Sequence, residues 1–315
     1  MRLLLCLLTV SSLFAKDATV QILGKDGQIR EANTAMKAIR VDVDGQTRSI
    51  LLTQILSVHS GEPASAGEQA RIEKALPILV TADQKTSDRV QRDAAVADLV
   101  SIGVPVITPL LLTYKDTDQH EPRPLYRLFE RIMPSNADGL DRSLSIIRLT
   151  SGESLRGKVQ TFDEGGVNWA NVRRLAVKQK SVSRNVKVHS LMHCTKVEWF
   201  DTGIGLAEGS KLDSKATGFT RLSWETDGWA TNADGLQKPG PNYKTNLVDG
   251  QPFGALVGRV GAGEYFLLGT KAMKQGLAAG RLLMAINDNA HWQNNLGSYF
   301  VRLTVTDAYD LGDAQ

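Results

Sequence analysis

The chain of 315 residues is longer than one ordinary domain and sets an expectation of two or three folded units. An apolar fraction of 42%, a charged fraction of 23% and a net charge of +3 exclude a disordered chain and a membrane-embedded one. The same weak charge leaves no electrostatic footprint for nucleic acid.

The opening MRLLLCLLTVSSLFAKD places Arg2 before an apolar run from Leu3 to Phe14 and a small residue at Ala15, the order of a secretory signal. Residues 1–15 are therefore expected to be removed, giving an exported, periplasmic or extracellular protein. Beyond the leader no stretch approaches the length of a membrane span. Cys194 would then be the sole cysteine, so no intrachain disulfide is expected; in the apolar context VKVHSLMHCTKVEW it reads as a buried small hydrophobe.

From 16 to 60 the pattern alternates strand and turn. VQIL, AIRVDV and RSILLTQILSVHS are separated by Lys25-Asp26-Gly27 and by Asp44-Gly45, both hairpin signals. Gly61 to Gly67 reads as a linker, after which the period becomes helical. Ala70, Ile72, Ala75, Leu76 and Leu79 fit one apolar face, and Val90, Ala94, Ala97 and Val100 another. Ser87 is the expected N-cap of the second helix, Gly103 its stop, and Pro105 the opening of a third. RPLYRLFERIM predicts a further helix. The elbow Gly103-Val104-Pro105 within 86–133 loosely resembles a single HEAT-type repeat, so 61–140 is expected to be a helical spacer.

Residues 141–202 return to strands, and IIRLTSGESLRGKV echoes VQILGKDGQIREAN, which suggests a second copy of the first β module. From 203 to 315, GFTRLSWETDGW, FGALVGRVG, EYFLLGT, GRLLMAIND and GSYFVRLTV are strand candidates punctuated by Gly, Pro, Asn and Asp, the mark of a β-sandwich. The expected fold is mainly β with a small helical segment. Leu282, Met284 and Ile286 should face the core from one strand. Tyr299 or Phe300, with Val301, Leu303 and Val305, should do so from an edge or penultimate strand.

Between those last two strands lies DNAHWQNN, residues 288–295. Oxygen-bearing side chains in such a loop either shape the turn through hydrogen bonds to its own backbone or form the oxygen cage of a hard cation. If the flanking strands were antiparallel neighbours, Asp288 would meet Asn294 and Asn295.

FGALVGRVG followed by AINDNAHWQNNLGSYFVRLTV and preceded by DGWATN resembles the LecA-like family of bacterial galactophilic lectins, over roughly residues 216–306. The resemblance implies a jelly-roll β-sandwich that binds sugar through calcium. It implies side-chain ligands at Asp288, Asn294 and Asn295, a backbone carbonyl from His291 or Trp292, and another from Asn232. The sugar contacts it implies are Asp288, Asn289 and Asn294; apart from the resemblance, Tyr243 or Trp292 has the aromatic face that could stack on a pyranose ring or serve as a packing anchor. A galactose-like glycan is the implied partner. The loop is one residue shorter than in the galactose binders, and PGPNYKTNLVDGQPFGALV lacks the His-Pro and Gln of their second loop. Calcium therefore carries over better than galactose specificity.

His189 and His193, beside Cys194, have the spacing of a zinc pair on a helix; on the strand expected here they would stand about 13 Å apart, too far to chelate. No nucleophile elbow, HExxH, P-loop or dinucleotide fingerprint occurs, so no enzyme is expected. The expected function is calcium-mediated carbohydrate binding, strengthened by an oligomer if one forms. The alternatives are a structural or protein-interaction protein whose calcium only stabilises the loop, or a non-catalytic accessory of a glycan-processing system.

Overall fold

The computed structural model describes residues 17–81, 86–115, 143–164, 167–195, 199–222, 229–236, 248, 250–288 and 295–312. The expected leader and the helix expected over 123–133 lie outside them. The described part is mainly β, with its α-helices confined to one segment. None of these helices is long and apolar enough to cross a membrane.

Strands β1 (Ala18–Gly24) and β2 (Ile29–Thr34) form a hairpin, as do β3 (Ala38–Val43) and β4 (Gln46–Leu51). The second turn carries Asp44 and Gly45 at φ 50 and 78, the two left-handed positions that a tight hairpin demands. β2 was not visible as a strand in the sequence, because IREANT is exposed along most of its length. β5 (Ile55–His59) follows. It pairs with β6 (Ser145–Leu149), which in turn forms a hairpin with β7 (Ser154–Val159). The two segments that echo each other, β1–β2 and β6–β7, are thus both hairpins. They line one core containing Val20, Ile39, Val41, Ile55, Val58, Ile147, Trp169 and Leu175. Two short strands, β8 (Asp163–Glu164) and β9 (Val167–Asn168), close its rim.

Helix α1 (Ala66–Thr81) opens on a capping box: the Glu68 amide donates to Ser65 Oγ at 3.3 Å and the Ser65 amide to Glu68 Oε2 at 2.8 Å. Helices α2 (Thr86–Ile102) and α3 (Ile107–Lys115) complete a separate apolar cluster. Ile72, Ala75, Leu76 and Leu79 face inward as the sequence suggests, whereas Ala70 is exposed. Among the described side chains of α2, the buried ones are Ala95, Leu99 and Ile102. Ala94 and Ala97 face solvent. Alanine carries too little apolar area to fix a helix face against leucine and isoleucine. Gly103, at φ 75, ends α2 as expected, its amide reaching Leu99 O at 3.0 Å. Ser87 lies inside α2 rather than before it.

β10 (Val172–His189) is one continuous strand of 18 residues where the sequence suggested separate ones. Its first part pairs with β1 and β5, and its second part with β17 (Leu296–Asp310). β11 (Phe200–Arg221) is longer still, at 22 residues. Its alternation of buried and exposed positions over 210–217 is hidden in the sequence by the serines and alanine on the inward side. β17 lies between β10 and β11, so it is a central strand and not an edge or penultimate one. Tyr299, Val301, Leu303 and Val305 are buried and Phe300 is exposed. Along the rest of β11 run β12 (Ala230–Thr231), β15 (Lys271–Leu277) and β16 (Gly280–Ile286). β13 (Leu256–Val260) and β14 (Tyr265–Leu267) extend the sheet beyond β16. These strands enclose a second large core, to which β16 gives Leu282, Met284 and Ile286 as expected.

Candidate functional site

β16 and β17 are not paired with each other. Both pair with β11, β16 near its start and β17 along most of its length, so Asp288 and Asn295 follow and precede strands that do not form a hairpin. The convergence expected of Asp288 and Asn295 nevertheless occurs. Both are buried, at 1% and 2% exposure, and Asn295 Nδ2 donates to Asp288 Oδ2. Asn295 Nδ2 also donates to Ser190 O at 3.2 Å. Asn295 Oδ1 is buried with no hydrogen-bond donor among the described residues. A buried amide oxygen without a donor, beside a buried carboxylate, costs free energy unless something electropositive meets it.

The floor of this site comes from Ser190 and Thr195, to which sequence reasoning gave no role. After β10 the chain turns through residues 190–195. Thr195 Oγ1 accepts from the Asp288 amide and donates to the Asp288 carbonyl, both at 3.1 Å. Thr195 is also tied by its amide to Ile286 O at 2.9 Å. Gly297 O accepts from the Ser190 amide and hydroxyl, at 3.2 and 2.9 Å. At Gly297 (φ 94) a Cβ would lie 2.3 Å from Phe219 O, so only glycine lets β17 start this close to β11.

The roof is set by Asn287, also fully buried and also missed from sequence. Its Nδ2 donates to the carbonyls of Val248, Gln251 and Pro252 at 3.1 to 3.3 Å, and its Oδ1 accepts from the Val248 amide at 3.4 Å. Its backbone pairs with Gly254 and Ala255. One asparagine therefore clamps the 248–252 turn against the root of the 288–295 loop. The signal was available in the Asn-Asp dipeptide, but only Asp288 was assigned a role.

Asn232, the third described member of the expected set, sits in a turn after β12. Its carbonyl accepts from the Gly235 amide at 3.0 Å and from the Tyr299 hydroxyl at 2.7 Å. The Tyr299 hydroxyl is also 2.8 Å from Gly254 O and 2.9 Å from Thr220 Oγ1. Burial holds this phenol above its ordinary pKa, so it stays a neutral donor. A chain of bonds thus links Asn232 through Tyr299 and Gly254 to Asn287, one residue from Asp288. Asn289, His291, Trp292, Asn294 and Tyr243 lie outside the described residues.

His189 and His193 do not share one strand. β10 ends at His189, and the following turn brings His193 back, so that the His189 amide donates to His193 Nδ1 at 3.0 Å. The two rings are not a strand's length apart. Their Nδ1 atoms instead receive backbone donors, the Leu191 amide reaching His189 Nδ1 at 3.4 Å. Burial, with Lys187 nearby, lowers the His189 pKa. Cys194 is buried, as expected, and in no disulfide. Among the described residues, no three His, Cys, Asp or Glu side chains converge on a metal position. A site built from one carboxylate and amide oxygens is of a different kind, and hard cations accept such ligands.

No protein-family model matches the chain. No curated protein matches it. Among solved structures it is similar to a chain described as "EclA N-terminal domain; PllA-like lectin", at 20% identity over 39% of this chain and 96% of that one, with a TM-score of 0.30.

Proposed function

We propose that the C-terminal sandwich binds a carbohydrate through a calcium ion seated at Asp288 and Asn295, and that the protein is an exported, non-enzymatic binder. The observation that carries this reading is the buried carboxylate of Asp288 lying against Asn295, whose Oδ1 has no donor among the described residues. A divalent cation would meet the Asn295 oxygen beside a carboxylate that can share it, and turning the amide would present Oδ1 to it. Asn294 and the carbonyls of His291 or Trp292 and Asn232 would complete the protein ligands, as the LecA-like resemblance implies. Paired sugar hydroxyls would exchange for calcium-bound water, with Asp288, Asn289, Asn294 and Tyr243 orienting the ring. Glycan preference is a matter for the residues around 238–249, where the resemblance to galactose binders breaks down.

The test is thermal unfolding of the whole chain in calcium and in chelator, followed by a glycan array in both. A ligand that binds only the folded state raises its midpoint. The reading expects a calcium-dependent rise and calcium-dependent glycan capture; equal midpoints would overturn it. A second reading, in which calcium only staples the loop, is favoured by the near-complete burial of Asp288. It expects the rise in midpoint without glycan capture.

A further inference from the structure

Four strands of the C-terminal sheet lie side by side in the order β10, β17, β11 and β15. Their outward residues form one exposed face, laid out row by row by the strand register. In one row Arg302 (β17) stands directly opposite Lys215 (β11), and Lys215 directly opposite Lys271 (β15). Side chains paired in this way start about 5 Å apart, where like charges destabilise the sheet. All three are exposed, and none makes an ion pair among the described residues.

The neighbouring rows carry large apolar side chains. Lys187, Phe300 and Thr217 form the next row, with Lys187 Nζ 5.6 Å from the centre of the Phe300 ring. Phe219, opposite Ser298, lies in the row after it, diagonal to Phe300. On the other side of the cation row, Asp213 faces Met273. Phe219, Phe300 and Met273 are 62%, 57% and 72% exposed, and Leu296, at the start of β17, is 50% exposed. Among the described residues of these rows Asp213 is the one carboxylate. Apolar side chains gathered on one open face mark a surface that meets something from outside the chain.

Two properties of the face select its occupant. The surplus of positive charge opposes a second copy laid face to face and favours an anionic surface. Met273 and Leu296 are aliphatic, so they gain from entering hydrocarbon but have no ring to stack on a sugar or a base. Lysine and arginine stems can lie along such apolar neighbours while their charged ends reach a phosphate. We propose that this face docks the protein on an anionic phospholipid membrane. Phe219, Phe300 and Met273 enter the headgroup boundary, and Arg302, Lys215 and Lys271 meet the headgroup phosphates. The contact is peripheral and independent of calcium.

Co-sedimentation of the full chain with vesicles, in chelator throughout, tests this. Vesicles of phosphatidylcholine and phosphatidylglycerol in equal parts should carry the protein down and pure phosphatidylcholine should not, the bound fraction falling as salt rises. Combining Lys215→Gln, Lys271→Gln and Arg302→Gln should weaken binding roughly tenfold or more. That variant should unfold at the same or a higher temperature than wild type, since it relieves opposed like charges. Combining Phe219→Ser with Phe300→Ser leaves the charge unchanged and should also weaken binding. Absence of binding to the anionic vesicles would overturn the proposal, as would undiminished binding in either folded variant or equal binding to both kinds of vesicle. Capture by polygalacturonate without vesicle binding would overturn it in favour of an acidic glycan. A dimer that the same substitutions dissolve, again without vesicle binding, would overturn it in favour of a second copy.

Discussion

The hydroxyl of Tyr299 lies 2.7 Å from the carbonyl oxygen of Asn232, joining the central strand of the C-terminal sheet to the turn that follows β12. The same hydroxyl is within reach of Gly254 O and Thr220 Oγ1, so four elements meet at one oxygen. Tyr299→Phe keeps the ring and deletes that node. Loss of about 1–2 kcal/mol is expected, with buried carbonyls left short of a donor. Chemical denaturation of wild type and variant measures it. If Asn232 O is a calcium ligand, the calcium-dependent gain in midpoint should survive this substitution, since the carbonyl is released and not removed.

Asp288→Ala removes the carboxylate against which Asn295 is held. Wild type should gain stability from millimolar calcium and the variant should not. Glycan capture should disappear with it under the lectin reading. A variant that responds to calcium as wild type does would place the ion elsewhere.

Arg173 and Glu68 form a second relationship that the sequence concealed. Both are nearly fully buried, with Nε to Oε1 at 2.8 Å and Nη2 to Oε2 at 2.6 Å, and Arg173 also donates to Glu62 O at 2.8 Å. Breaking such a pair on one side typically costs roughly 3–5 kcal/mol. Arg173→Met should cost about that, and the double variant with Glu68→Leu much less. Burial raises the Glu68 pKa, but Arg173 and Ser65 outweigh it, and the net shift is downward. This part of the stability is therefore present above the ordinary glutamate range and lost as pH falls through the folded value. Acid unfolding of Glu68→Gln should lack that component.

His59 governs a different pH window. Its folded pKa of about 3 is depressed from 6.5 by burial and then by the guanidiniums of Arg174, Arg148 and Arg281, so the unfolded chain takes up the proton first. Stability should be complete above pH 6.5 and decline as pH falls toward 3, by at most about 1.4 kcal/mol per pH unit. His59→Asn should flatten the decline between pH 6.5 and 5.5, above the ordinary glutamate range. Unfolding midpoints across that range, in chloride, distinguish the two residues.

A fragment of 205–315 should behave poorly, although it contains the whole 288–295 loop. It lacks β10, which pairs with β17 from Lys178 to His189, and it lacks Ser190 and Thr195, which hold Asn295 and Asp288. An exposed central-strand edge invites self-association. Size-exclusion chromatography should show aggregates for 205–315 and a discrete species for the full chain.

The mainly β character, the helical insert, the hairpin turns and the meeting of Asp288 with Asn295 were all legible in the sequence. Each rests on local chemistry: turn residues with positive φ, helical spacing of large aliphatics, acceptors grouped in one loop. What was hidden is non-local. The reach of β10 and β11 depends on partners far along the chain, and small polar residues such as Ser210 and Ser214 are buried because strands cover them. Asn287, Ser190 and Thr195 escaped notice for the same reason. Their roles are fixed by carbonyls and amides of other segments, which no local pattern announces.

The continuous strand β10 has a mechanical consequence. Eighteen residues in extended form span on the order of 55 Å. One end is built into the first β core, and the other delivers Ser190 directly beneath Asn295. Being one unbroken strand, it acts as a strut, and whatever anchors the N-terminal half also sets where Asn295 is held.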